Sequence, residues 1–164
     1  MAAELVVAAM SAAVQFSTHD EPVWRERANF IINAPLPEEG RFEQLWTRQL
    51  GENLFEVCCI PFFLYDVALG DTVETAPQGD RQYVLSRVRQ RAGRYVFRAF
   101  FERTQYRFRD STVEALESLG ALIEWSSPSL LAVDAEGPAV QKVADLLNGL
   151  ERQERLVYET GKTA

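Results

Sequence analysis

The sequence predicts an α+β fold in two halves. The first is a small, bent, barrel-like β-sheet with one short helix, and the second is a ferredoxin-like βαββαβ unit. Three observations predict this. The first half is a series of short β-prone runs punctuated by Gly, Pro and Asp. The second half alternates strand-like and helical patterns with recognisable start and stop residues. The composition, 47% apolar and 25% charged over 164 residues, is that of a globular chain able to bury a core without disulfides.

Taken in order, residues 1–20 read as a poorly ordered extension. Glu4 interrupts their apolar run and no basic residue precedes it, which argues against a signal peptide. No stretch reaches the roughly 18 apolar residues of a membrane span. Ala28 to Asn33 is rich in branched and aromatic residues and reads as a strand, ended by Pro35 and Pro37. In "GRFEQLWTRQLG", Phe42, Leu45, Trp46 and Leu50 fall at helical spacing and Gly51 supplies a stop, which predicts a short helix. "LFEVCCIPFFLYDV", "GDTVETA" and "QYVLSRVRQ" are strand-like, with Pro61 marking an edge or a bulge. This half spans 21–92.

The second half spans 93–164, with a soft boundary, so that one compact unit is the alternative. "GRYVFRAFFERTQ" reads as a strand and "DSTVEALESLG" as a helix, with Ser111 and Glu114 as a capping box and Gly120 at its end. "ALIEW" and "LLAVDAE" are strands around the turn "SSPS". "GPAVQKVADLLNGLERQ" is a helix with Pro138 in its first turn, and "RLVYET" closes the series as a strand.

Charge is unevenly spread. The chain holds 24 acidic and 17 basic residues, but Arg81 to Arg109 contains nine arginines and one acid, Glu102. The acidic remainder excludes general affinity for double-stranded DNA or anionic membranes. Within the basic segment, Ala92-Gly93 reads as a two-residue turn of a hairpin. Alternation then places Arg87, Arg89, Arg91, Arg94 and Arg98 on one face, with Tyr95, Phe97 and Phe101 on the other as core. Like charges facing one another are destabilising. They need either acids of this chain or an anionic partner, and arginine's planar fork suits both carboxylate and phosphate.

Other reactive groups point to structure rather than chemistry. Cys58 and Cys59 sit in an apolar run, where thiols are inert, and read as reduced residues of a cytoplasmic protein. The single histidine, His19, reads as an exposed loop residue, with no Cys/His set spaced for a metal. Asp71 and Glu74, near Asp66, could run acid–base chemistry, but Gly70-Asp71 reads better as a turn entering a strand.

The block "FEVCCIPFFLYDVALGDTVE", preceded by Leu45-Trp46, resembles an uncharacterised bacterial family, domain-of-unknown-function family 4265. "LESLGALIEW" and "LLAVDAE" are similar to its C-terminal part, so the resemblance spans about Ala28 to Val157. It implies a bacterial source and a compact domain of this size, with no catalytic residue to carry over.

The resulting expectation is a non-catalytic, protein-binding domain, without cofactor or metal. One concrete form is an immunity- or antitoxin-like protein whose acidic surface covers a basic partner. The alternative is a regulatory domain that binds RNA or a phosphorylated ligand through the arginine hairpin.

Overall fold

The computed structural model describes residues 13–163. In this range the chain forms two sheets. The N-terminal one contains β1 (Gln15–Ser17), β2 (Phe30–Pro35), β3 (Arg41–Gly51), β4 (Leu54–Val57), β5 (Thr72–Gln78) and β6 (Arg81–Gln90). Their order is β1-β3-β2-β6-β5-β4, and β4 also pairs with β3, so β2 to β6 close into a five-stranded barrel. Closure leaves no long free edge. Its interior is filled by Ile32, Ala34, Leu45, Phe55, Val57 and Val73, all fully buried.

β3 is the expected short helix, and it is a strand. It pairs antiparallel with β2 from Phe42 to Thr47 and with β4 beyond Thr47. Its inward residues are Glu43, Leu45 and Thr47, alternating with half-exposed Phe42, Gln44, Trp46 and Arg48. The helical spacing of Phe42, Leu45, Trp46 and Leu50 was coincidental, because the buried face carries a carboxylate and a hydroxyl. Tertiary pairing overrides a short local pattern of this kind.

Residues 15–20, expected in a poorly ordered extension, are built into the fold. β1 pairs parallel with Arg41–Glu43, and His19 behind it is only 3% exposed rather than a surface loop residue. The other part of that expectation, residues 1–12, lies outside the described residues.

The second sheet contains β7 (Arg94–Phe100), β8 (Leu122–Ser127), β9 (Leu130–Glu136) and β10 (Val157–Thr160). With α1 (Arg109–Ser118) and α2 (Val140–Arg152) between them, the element order is βαββαβ and the strand order is β10-β7-β9-β8, antiparallel throughout. α1 starts differently from the expected capping box at Ser111. The capping box is formed by Glu102 and Gln105 ahead of a short 3-10 turn, Arg103–Phe108, that runs into the helix. Gly120 ends α1 with a φ of +84°, as its sequence position predicts.

Alternation along β7–β9 gives this sheet two different faces. Phe97 and Ala99 of β7, Phe101 just after it, and Leu131, Val133 and Ala135 of β9 pack with Leu116, Val143 and Leu147 of the helices. The opposite face carries Val96 and Ala132, which pack on Ile60, Phe62 and Ala68 of the segment joining β4 to β5. That joining segment, expected as a strand through Val67, leaves the barrel after Val57 and fills the junction between the two halves. Both faces of the second sheet are thus covered.

The predicted arginine hairpin does not form. β6 pairs with β5 and β2, while β7 pairs with β9 and β10. Ala92-Gly93 is a crossing from one sheet to the other. Both edges of β6 are already taken, and Arg94 is drawn to acids on β9, so no cross-strand ladder joins Arg87, Arg89 and Arg91 to Arg94 and Arg98. Among the described residues no helix is long and apolar enough to cross a membrane.

Candidate functional site

The five arginines meet different fates. Arg87 and Arg89 bind Glu74 across the β5–β6 pair, at 2.6 and 3.3 Å. Arg91 donates to the Asp66 carbonyl and lies 3.8 Å from Asp71. Arg94 grips Asp134 through Nε and Nη2 and reaches Glu136 through Nη1. Four arginines are therefore matched by acids or carbonyls of the same chain. Asp71, buried, accepts N–H bonds from Ala68 and Ala92 and ties off a turn.

Arg98 differs from these in being buried. Alternation on β7 points it at the inter-half face, where it is 3% exposed. Its Nη2 donates to the Leu64 carbonyl. Its Nε and Nη1 have no hydrogen-bond partner among the described residues. The nearest acid is Glu159 on β10, with Oε1 at 3.6 Å from Nη1, beyond hydrogen-bond length. A buried guanidinium with unused donors is unusual, because each desolvated donor without a partner costs free energy. The guanidinium also lies over the Tyr65 ring, 4.8 Å from its centroid.

Arg98 lines a cleft of about 530 Å³ between the halves. Aromatic side chains Phe62, Phe63, Tyr65 and Phe100 form much of its wall, with Leu36 and Leu130. Its charged residues are Arg41, Glu38, Arg98 and Glu159. Arg41 and Glu38 pair with each other. The Tyr65 hydroxyl donates to both oxygens of Glu159, at 2.9 and 2.8 Å. That bond pushes the Tyr65 hydroxyl up, so it stays protonated as a donor. A few convergent polar groups on an apolar wall are the usual features of a small-molecule site.

The wall of this cleft is held from behind by a buried ionic cluster. His19 lies between Glu43 on β3 and Glu124 on β8, with Nε2 at 2.7 Å and Nδ1 at 2.8 Å from the carboxylates. The imidazole stacks on Phe62, with ring centroids 3.9 Å apart. Glu43 accepts N–H bonds from Phe62, Phe63 and Leu64, and Glu124 from Ile60 and Val23. Burial alone would drive His19 neutral, but its surroundings act against this and hold its pKa above the ordinary value. The carboxylates carry this effect, since burial pushes the Cys59 thiol up and keeps it neutral. Burial likewise works against ionised Glu43, but the imidazolium and the N–H groups outweigh it and hold the carboxyl below its ordinary value.

Of the residues expected at a site, the structure places only Arg98 in the cleft. Sequence reasoning missed Tyr65, Glu159, His19, Glu43 and Glu124. Glu43 and Glu124 left one signal: each sits at an inward position of a strand, where alternation should put an apolar residue. His19 left none, because β1 is only three residues long.

The fold and cleft define a two-part α+β protein with a junction site. The chain belongs to the family described as "Domain of unknown function (DUF4265)", whose model matches residues 43–158. That stretch includes Glu43, Tyr65, Arg98 and Glu124 and leaves out His19 and Glu159. Among solved structures, the chain is similar to a hypothetical protein from Neisseria gonorrhoeae, with a TM-score of 0.65 and 16% identity. The likeness covers 82% of this chain and 96% of that one, and at this identity it establishes the fold alone. No curated protein matches the chain.

Proposed function

We propose that the chain is a non-catalytic binding domain whose site is the junction cleft and whose small ligand pairs an anionic group with Arg98. The observation that carries this is the Arg98 side chain, buried with Nε and Nη1 unpartnered at the wall of a cleft large enough for a small molecule. Carboxylate and phosphate oxygens are the natural acceptors for those donors. The expected anion site thereby moves from five arginines to one. The antiparallel β10-β7-β9-β8 order supports reading the C-terminal half as ferredoxin-like. The engagement of both His19 nitrogens and the burial of both thiols support a binding role over nucleophilic or general-base chemistry. The two free, buried cysteines also support a reducing, cytoplasmic setting.

Calorimetric titration with phenylacetate and with phenyl phosphate tests the reading. At about 0.3 kcal/mol per ligand atom, binding of such small compounds falls in the millimolar range. Arg98→Met should abolish it while leaving the circular dichroism spectrum unchanged. Equal binding by wild type and Arg98→Met would defeat the proposal.

A second reading, an immunity-like protein that covers a basic partner, is favoured by one observation. Arg87, Arg89 and Arg94 of the basic segment are paired with acids of the same chain, in a molecule of formal charge −7. Recovery of a stoichiometric basic protein with the purified chain, released by salt, is the expected result. Purification with no stoichiometric partner counts against it.

A further inference from the structure

Resting on the binding role of the cleft, we infer that its ligand is a zwitterionic α-amino acid with an apolar side chain, carboxylate on Arg98 and ammonium on Glu159. The cleft is lined by two acids and two bases, and Glu38 and Arg41 satisfy each other at its rim. That leaves Arg98 and Glu159, whose closest charged atoms are 3.6 Å apart. They attract but make no hydrogen bond, so each keeps capacity for a ligand.

A plain anion fits this pair poorly. It would satisfy Arg98 yet lie against the carboxylate of Glu159, and like charges at such range repel in a site partly screened from water. A plain cation would have the reverse defect beside Arg98. A molecule with both charges a few ångströms apart meets both residues with the right sign. The α-carboxylate and α-ammonium of an amino acid have that separation. Glu159 is suited to the second contact: it is half exposed, and the Tyr65 hydroxyl orients it by bonding both oxygens. The remaining wall, with Phe63, Phe100, Leu36 and Leu130, offers apolar surface for a side chain and no further unpaired charge.

Titrations of L-phenylalanine, L-leucine, phenylacetate and phenethylamine at pH 7, followed by backbone and arginine Nε–H signals in ¹⁵N spectra, decide the matter. One of the two amino acids should bind at least tenfold tighter than phenylacetate or phenethylamine. Glu159→Gln, at an exposed position that leaves folding intact, should remove that advantage and bring the amino acid to the level of phenylacetate. Arg98→Met should remove binding of both. If phenylacetate binds as well as the amino acids, and Glu159→Gln tightens both, the amino-acid assignment is overturned while the anion-binding cleft stands. If phenethylamine equals the amino acids, Arg98 is not the carboxylate seat and the assignment is also overturned. If none of the four shifts a signal of the cleft, both this inference and the binding role of the cleft fall.

Discussion

Replacing His19 by glutamine tests the buried ionic cluster where its physical logic is most exposed. In the native chain one imidazolium separates two carboxylates, each fully or nearly fully out of water. Five backbone N–H groups share the remaining negative charge. Glutamine can donate to one carboxylate, but its carbonyl oxygen then faces the other, and no positive charge remains. Removing one partner of a buried ion pair costs about 3–5 kcal/mol. The lost stack on Phe62 adds about 1 kcal/mol. We therefore expect His19→Gln to lose about 5 kcal/mol, a large share of a total stability of about 5–15 kcal/mol. Urea unfolding followed by fluorescence of Trp24, Trp46 and Trp125 measures it. The double variant His19→Gln/Glu124→Gln should regain part of the loss, because it removes one of the two facing charges. A loss under about 1 kcal/mol in the single variant would refute the reasoning, since it would mean that water reaches the cluster or that the carboxylates are not ionised.

Further expectations follow from the same geometry. Arg98→Met should change stability by no more than about 1 kcal/mol, because the lost Leu64 bond and Tyr65 contact oppose relief of two unpartnered buried donors; a loss above about 3 kcal/mol in the same urea assay would make Arg98 a structural group. Stability should fall on the alkaline side. His19 is raised above its ordinary 6.5, so its contribution is complete below 6.5 and is lost as pH climbs through the raised value. Cys58, pushed up to about 12 chiefly by burial, adds a loss above 9. The His19 part has a limiting slope of about 1.4 kcal/mol per pH unit, so urea midpoints should drop clearly between pH 6.5 and pH 9, and equal midpoints would contradict it. Gly161→Ala would bring a Cβ to 2.9 Å from the Cβ of buried Val96, with an expected loss of about 2 kcal/mol by thermal unfolding; no loss would show that the C-terminal strand gives way freely.

How much of this was legible beforehand follows from the range of the interactions involved. The C-terminal half was readable because its signals are local. Gly120, Pro138 and the apolar spacing of both helices act within a few residues, and β8 to β10 fall where the runs of branched and aromatic residues place them, while β7 stops at Phe100, short of the expected Gln105. The barrel was readable as a bent sheet of short strands, but β3 was misread, since its helical spacing could be corrected only by its partners β2 and β4. The hairpin failed for a similar reason. Ala92-Gly93 has the chemistry of a tight turn, and only the occupied edges of β6 send the chain into the other sheet.

The site was less legible than the fold. Arg98 was among the five arginines considered, yet nothing local separates it from Arg94, two turns of the pleat earlier. The difference is that Arg94 faces Asp134 and Glu136 on the neighbouring strand, whereas Arg98 faces Ala132 there and must look across the junction. Glu159 and Tyr65 are 94 residues apart and His19 and Glu124 are 105 apart, so these contacts exist only after both halves dock. Inward-pointing Glu43 and Glu124 are the sequence features that a stricter use of alternation would have flagged. A carboxylate on the buried side of a strand demands a partner somewhere in the fold.

Arg98 as an anion seat is the central claim. Its most direct test is a crystal structure of the protein soaked with L-phenylalanine and, separately, with phenylacetate. The account predicts a carboxylate within hydrogen-bond distance of Arg98 Nε or Nη1 in the junction cleft, with the ring against Phe63 or Phe100. An Arg98 guanidinium that instead closes onto Glu159, with no ligand in the cleft at saturating concentration, would contradict it.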